Sequence, residues 1–405
     1  METSRNYKNP FQDYLSSSCL TALIPEENII TDDFRAFLTT NTKRLLQILE
    51  ENKNEWTDHD DHSVYTGTAG IANMFQLYAN YLNEPAYYSK ALELLENCIK
   101  EFKWEKDITF LTGLSGPLAL AAVMFYRHGR YNDLENVISK LISLSTHVIN
   151  EHSKISDEIL YGRAGYLFSL LYINSNIYPH LIKADIIKQV ISSILKSGNM
   201  YSTSRHCKSP LMYSWHNTEY LGAAHGLAGI LYVLLQAQDY LDDEQLKNDI
   251  IPALYYLHDL KYPSGNFPSS IGSNTDKLIQ WCHGAPGMTM LYCLAYEIYP
   301  DKKFLETAIE CGEVIWTRGL LKKGYGLCHG VSGNAYAFLH LYQQTKDLKY
   351  LYRACKYAEW CCNYGVNQNR LPDRPFSLFE GLAGVIYFLT DIQQPRMAKF
   401  PGYTL

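Results

Sequence analysis

The 405-residue chain is long enough to bury a large core, and its net charge of −6 with a pI near 6.1 argues against nucleic acid or an anionic membrane as the main partner. The longest apolar run, Gly116 to Phe125, is about half of what a membrane span requires. Ten cysteines are too dilute for a disulfide framework, so a reducing, cytoplasmic setting is expected.

Met1 to Cys19 is polar and mixed in charge, without the apolar core of a secretory leader. From Gly67 onward one element recurs seven times: Gly67-Thr-Ala-Gly70, Gly113-Leu-Ser-Gly116, Gly162-Arg-Ala-Gly165, Gly226-Leu-Ala-Gly229, Gly284-Ala-Pro-Gly287, Gly330-Val-Ser-Gly333 and Gly381-Leu-Ala-Gly384. The spacings between first glycines are 46, 49, 64, 58, 46 and 51 residues, the mark of a repeat protein. An apolar or aromatic stretch follows each element. Amphipathic helices lie between them, as in the i, i+3, i+4 series Leu134, Val137, Ile138, Leu141 and in Tyr350 to Cys362. Each repeat therefore reads as a helix pair, with an apolar helix begun by Gly-x-x-Gly and an amphipathic helix outside it. Strand signals are almost absent. Two longer spacings come from insertions, residues 198–220 and 262–268, which are expected to place loops at one rim. No linker divides the chain, so one domain is expected, with residues 1–40 as an N-terminal extension. The 33 tyrosines are expected to pack helices through rings with polar tips.

Helix starts carry unpaired N–H groups and a positive dipole end, which suit thiolates and carboxylates. If all seven apolar helices start at the same end, groups beside the glycine turns converge. Three successive turns offer metal donors: His225 before Gly226, Cys282-His283 before Gly284, and Cys328-His329 before Gly330. Two thiolates and one imidazole suit zinc and leave a fourth position for water or substrate. Spacing does not choose between His283 and His329. For His283 alone the plainer reading is an imidazole hydrogen-bonded to a neighbouring helix end. The pair Cys361-Cys362 reads as one packed thiol and one exposed.

With those motifs in view the chain resembles the lanthionine synthetase C-like proteins, in particular their eukaryotic glutathione-binding branch. The likeness covers nearly the whole chain and is most specific in Ala223-Ala-His-Gly-Leu-Ala-Gly229, Trp281-Cys-His-Gly-Ala-Pro-Gly287, Lys322-Lys-Gly-Tyr-Gly-Leu-Cys-His-Gly330 and Pro375-Phe-Ser-Leu-Phe-Glu-Gly381. It implies an all-α fold, a double-layered α/α toroid of seven helix pairs; the period alone also permits an open solenoid. It implies zinc on Cys282, Cys328 and His329, with His225 as acid or base. It implies glutathione contacts from Lys323 and from Arg370, Leu371, Pro372 and Asp373. Arg5 is a further contact by the same likeness, or else a solvated tail residue. An acidic group expected before the third glycine turn is Glu158, with Asp157 as the alternative. The chain departs from bacterial cyclases at His283, where they have tyrosine, and at Leu278, where they have arginine, which puts intramolecular ring closure in doubt.

The activity these features imply is zinc-dependent transfer of the glutathione thiol to dehydroalanine or dehydrobutyrine in proteins or peptides. His225 is the first choice to supply the proton, with Glu158 or His283 as helpers. Two other classes compete: a prenyltransferase-like toroid, whose zinc site normally includes an aspartate, and a non-catalytic adaptor binding zinc and glutathione. Membrane association would run through a partner or a modification.

Overall fold

Each Gly-x-x-Gly element opens a helix within two residues of its first glycine. A computed structural model describes residues 4–15, 22–24, 29–57, 60–101, 107–150, 153–367 and 370–405. The seven helices so begun are Thr68–Leu82, Ser115–Arg127, Arg163–Asn176, Leu227–Gln236, Ala285–Ile298, Val331–Thr345 and Leu382–Asp391. They are almost wholly buried and form the inner layer. Each packs on the next in chain order, and the seventh packs on the first, which closes a ring rather than leaving a solenoid.

The outer layer is Pro85–Glu101, Tyr131–Ser143, Ala184–Arg205, Ile251–Asp259, Lys302–Arg318 and Leu348–Cys362. The seventh inner helix takes its outer partner from the N-terminal region. Asp32–Glu51 packs on Leu382–Asp391 and beside Leu348–Cys362, burying Phe34, Leu38, Leu45, Leu46 and Leu49. The N-terminal region is therefore the seventh outer helix as well as an extension. The architecture is a double-layered α/α toroid. The strands among the described residues are one short antiparallel pair, Leu23–Ile24 with Ile29–Ile30. Buried tyrosines bind the layers, with Tyr166 donating to the Leu141 carbonyl (2.8 Å) and Tyr292 to that of Leu254 (3.0 Å). Among the described residues no helix is long and apolar enough to cross a membrane.

The glycines act mainly by close approach. A Cβ on the second glycine would stand 1.8 Å from the Leu327 carbonyl oxygen at Gly333 and 1.9 Å from that of Phe110 at Gly116, each six residues back. Among the first glycines Gly284 alone has a positive φ, 99°, with an added Cβ 2.1 Å from the Leu278 oxygen. These wraps press each turn onto its neighbour. Residues two before the first glycine are then joined by backbone bonds from repeat to repeat. Cys282 N–H donates to Cys328 O (3.3 Å), Cys328 to Phe379 (2.9 Å), Phe379 to Tyr65 (3.0 Å) and Tyr65 to Leu111 (2.8 Å). Neighbouring turns thus present equivalent side chains side by side.

The C-terminal segment packs into the inner layer. Phe400 and Tyr403 are fully buried, Phe400 stacking on Trp281 at 5.1 Å and Tyr403 on Tyr232 at 4.2 Å. Because Trp281 adjoins Cys282, this plug supports the turn that carries it. Phe400→Ala is expected to lower unfolding free energy by about 3–5 kcal/mol. Guanidinium denaturation checks this, and a loss below about 1 kcal/mol would show that the segment is peripheral.

The insertion at 198–220 differs in part from the loop expected. Residues up to Arg205 continue an outer helix, and the loop proper begins at His206. Cys361 and Cys362 are both buried, where one was expected to be exposed. Burial pushes the Cys362 thiol up to about 12 and that of Cys361 higher still, which suits packing rather than redox chemistry.

Candidate metal centre

The fifth and sixth glycine turns bring Cys282, Cys328 and His329 together, with ligand atoms all within 4.8 Å of one another. The register explains it: both cysteines stand two residues before their first glycine, on turns joined by the Cys282–Cys328 backbone bond. Both thiols are buried and His329 is half-buried. Gln280 Nε2 donates to the Cys282 sulfur at 3.1 Å. Hydrogen bonds from Cys328 and His329 pull the Cys282 thiol well below its ordinary value, against the cost of burial. Burial and the neighbouring sulfur push Cys328 well up. Two adjoining sulfurs in a buried site are a donor pair that a dication satisfies, and with an imidazole beside them the set fits zinc.

His283 stays outside this trio. Its ring lies 5.7 Å from that of Tyr220, and its Nδ1 is buried with no hydrogen-bond partner. His225 sits one turn further round, its ring 5.9 Å from that of Tyr220. Its Nδ1 is 3.0 Å from Oε2 of the buried Glu158. Glu158 is itself fixed, accepting backbone N–H groups of Leu160 (2.9 Å) and Tyr161 (2.6 Å). The structure separates the two candidate acids. Asp157 instead accepts from Arg163 (2.8 Å) and Ser197 (2.6 Å), away from His225. A carboxylate at Nδ1 sets the tautomer and leaves Nε2 to exchange a proton.

A cavity of about 450 Å³ lies above the fifth to seventh turns. Among the described residues its charged lining consists of Arg5, Lys277, Lys322, Lys323 and Arg370, with no carboxylate, and Gln280 links it to Cys282. The charge of Lys323 acts on both Cys328 and His283, so basin and donor cluster share one field. Arg370 pairs with Asp373 at 2.9 Å, while Leu371, Pro372 and Asp373 stand outside the lining and Leu371 is exposed. Arg5 is not on a free tail. Lys322 N–H donates to the Arg5 carbonyl (3.0 Å) and Tyr7 N–H to that of Leu320 (2.8 Å). The buried Arg353 grips Asp13 and Glu313 with forked bonds of 2.6–3.0 Å, which straps the segment down.

Sequence reasoning missed Tyr65, whose hydroxyl is hydrogen-bonded to the Cys328 sulfur. Its signal was present, because Tyr65 also stands two residues before a first glycine. It missed Gln280, Lys277 and Lys322 as well, which precede the fifth and sixth turns as Lys323 does.

Known proteins place the chain. The family model described as lanthionine synthetase C-like protein matches residues 58–405. The chain is 41% identical to "Glutathione S-transferase LANCL1" of Danio rerio over 405 residues, covering all of both. It is 35% identical to "LanC-like protein GCL1" of Arabidopsis thaliana, over 85% of this chain and 82% of that one. Among solved structures it is similar to nisin cyclase, with a TM-score of 0.63 and 18% identity, covering 86% of this chain and 93% of the cyclase. That last likeness concerns the fold.

Proposed function

We propose, from the premise that this chain belongs to the lanthionine synthetase C-like family, that it is a zinc-dependent transferase adding the glutathione thiol to dehydroamino acids in proteins or peptides. The observation that carries this reading is the position of the Cys282–Cys328–His329 cluster, which is linked through Gln280 to a basin with a cationic charged lining and stands one turn from a His–Glu pair. The name of the Danio rerio relative supports the same donor and reaction class.

Zinc held by these three side chains would keep the substrate sulfur as thiolate near pH 7, where a free thiol of pKa about 8.5 is mostly protonated. The rest falls to the chain. Lys323, Arg370 and Arg5 hold the two carboxylates of glutathione through charge-assisted bonds. The thiol loses its proton, the sulfur forms a bond to the β-carbon of the alkene, and the π pair takes a proton at the α-carbon. Atoms and electrons balance without a redox partner. His225 delivers that proton from Nε2 while Glu158 holds Nδ1, and His283 is a secondary polar neighbour.

Incubation with glutathione and a dehydroalanine peptide, followed by mass spectrometry, tests the reading. Thioether formation over many turnovers is expected. Glutathione bound without adduct would favour the adaptor, and alkylation by a prenyl diphosphate would favour the prenyltransferase-like alternative. Among the described residues the cluster includes no aspartate, which weighs against the latter. Lys323→Ala removes a charge-assisted contact usually worth about 1.5–3 kcal/mol. It should raise KM for glutathione roughly tenfold or more, with kcat for the acceptor changed little. Steady-state kinetics decide, and an unchanged KM would place glutathione elsewhere.

A further inference from the structure

A second, larger cavity has no part in the reaction as derived so far. About 930 Å³ in volume, it opens under the second to fourth glycine turns, a different sector of the rim from the cationic basin. Its wall carries Asp107 and Lys154, of opposite sign, and Asp157, already neutralised by Arg163. Among the described residues the rest is aliphatic, hydroxyl-bearing or aromatic, including Tyr161 and Trp215, together with Asn150 and the imidazoles of His147 and His216. Such a lining suits an uncharged polypeptide with hydrogen-bonding backbone and apolar side chains, as the basin suits a dianion.

Two further observations join this cleft to the reaction site. The rings of Tyr161, Trp215 and His225 lie parallel within 3°, with centroids 4.0 Å apart for Trp215–His225 and 5.7 Å for Tyr161–Trp215. The wall of the cleft is therefore also the face of the proposed acid. Trp215 is held there by a tight hairpin, Trp215 N–H to Thr218 O at 2.9 Å and Thr218 N–H to Trp215 O at 3.0 Å. Its two central residues, His216 and Asn217, both adopt left-handed φ, 47° and 61°. For two consecutive non-glycine residues this backbone costs about 1–3 kcal/mol each and persists only where the surroundings impose it.

We propose that the acceptor polypeptide lies in this cleft, with the residue beside its dehydroamino acid packed on Tyr161 and Trp215, so that the alkene meets His225 and the cluster while glutathione holds the basin. This deepens the transferase reading and rests on it. The enzyme then selects an acceptor by the chain around the alkene, not by the alkene alone.

The test uses the full-length protein and two acceptors, a nine-residue peptide with dehydroalanine beside phenylalanine and a capped dehydroalanine amide. Lys154→Trp, at an exposed position on the wall, fills the cleft without touching His225 or the cluster. It should raise KM for the peptide about tenfold while kcat holds within twofold and the capped amide is unaffected. Equal effects on both acceptors, or none on the peptide, would overturn the proposal. A serine version of the peptide carrying a benzophenone beside the serine gives a readout without turnover. Cross-links should map to segments 144–150, 153–161 and 197–216; cross-links to Lys323 and its neighbours, or none, would refute it. If the wild type converts neither acceptor, the transferase reading fails, while the cross-links still decide where the polypeptide binds.

Discussion

Cys328→Ala is expected to leave the toroid folded, empty its metal site and stop thioether formation. Backbone bonds from Cys328 N–H to Phe379 and from Cys282 N–H to Cys328 O do not depend on the side chain. The loss therefore falls on the donor set rather than the turn. One thiolate and one imidazole leave a dication with half the compensating charge and two of its three protein ligands, which is too little for tight binding. Without the metal, a thiol at pH 7 is only a few per cent ionised, a penalty of about thirtyfold before lost positioning is added. Metal should fall to near zero per chain, and adduct formation by at least about a hundredfold, with an unchanged far-ultraviolet circular dichroism spectrum. Retained metal, or turnover within about threefold of wild type, would remove the cluster from the mechanism.

His225→Asn is expected to separate chemistry from binding. The ring is not among the clustered donors, and the basin lies over other turns, so metal content and glutathione affinity should stay as in the wild type. The proton delivered to the α-carbon is lost, and general acid catalysis of that kind contributes about 10²- to 10⁴-fold. kcat should fall within that range at unchanged KM for glutathione, and the pH–rate profile should lose a limb. A variant as fast as wild type would pass the proton role to another group. Glu158→Gln should reproduce the altered profile more mildly, because Glu158 acts through the imidazole it orients.

Much of this arrangement was legible in the chain because the repeat sets a register. The seven glycine turns announced seven inner helices, and Cys282 and Cys328 fall at the same offset from their turns. Applied further, that register would have resolved more. Glu158 stands four residues before Gly162, an offset shared by Ser63, Thr109, Gln280 and Ser377. Ser63, Thr109, Glu158 and Ser377 each bond a backbone N–H within their own turn. Asp157 is out of register and points elsewhere. Tyr65 shares the offset of the two cysteines and sits against one of them.

Features outside the repeat were not legible. Closure of the ring depends on Leu382–Asp391 packing on Thr68–Leu82, with Asp32–Glu51 completing the outer layer, and no local pattern encodes a partner about three hundred residues away. Arg5 reaches the basin because a distant buried arginine, Arg353, anchors Asp13. In sequence Arg353 is one more residue of an amphipathic helix. The hairpin at Trp215 runs through His216 and Asn217, which carry no glycine to mark a left-handed turn.

If two sulfurs and an imidazole from adjacent turns hold a metal that makes the thiol reactive, glutathione transfer to a dehydroalanine peptide must depend on that metal. The most direct test measures transfer by the purified protein before and after chelation, with metal counted in the same samples. One zinc per chain at the start, loss of transfer in step with loss of metal, and recovery on returning one equivalent are expected. Undiminished transfer by metal-free protein would contradict that dependence.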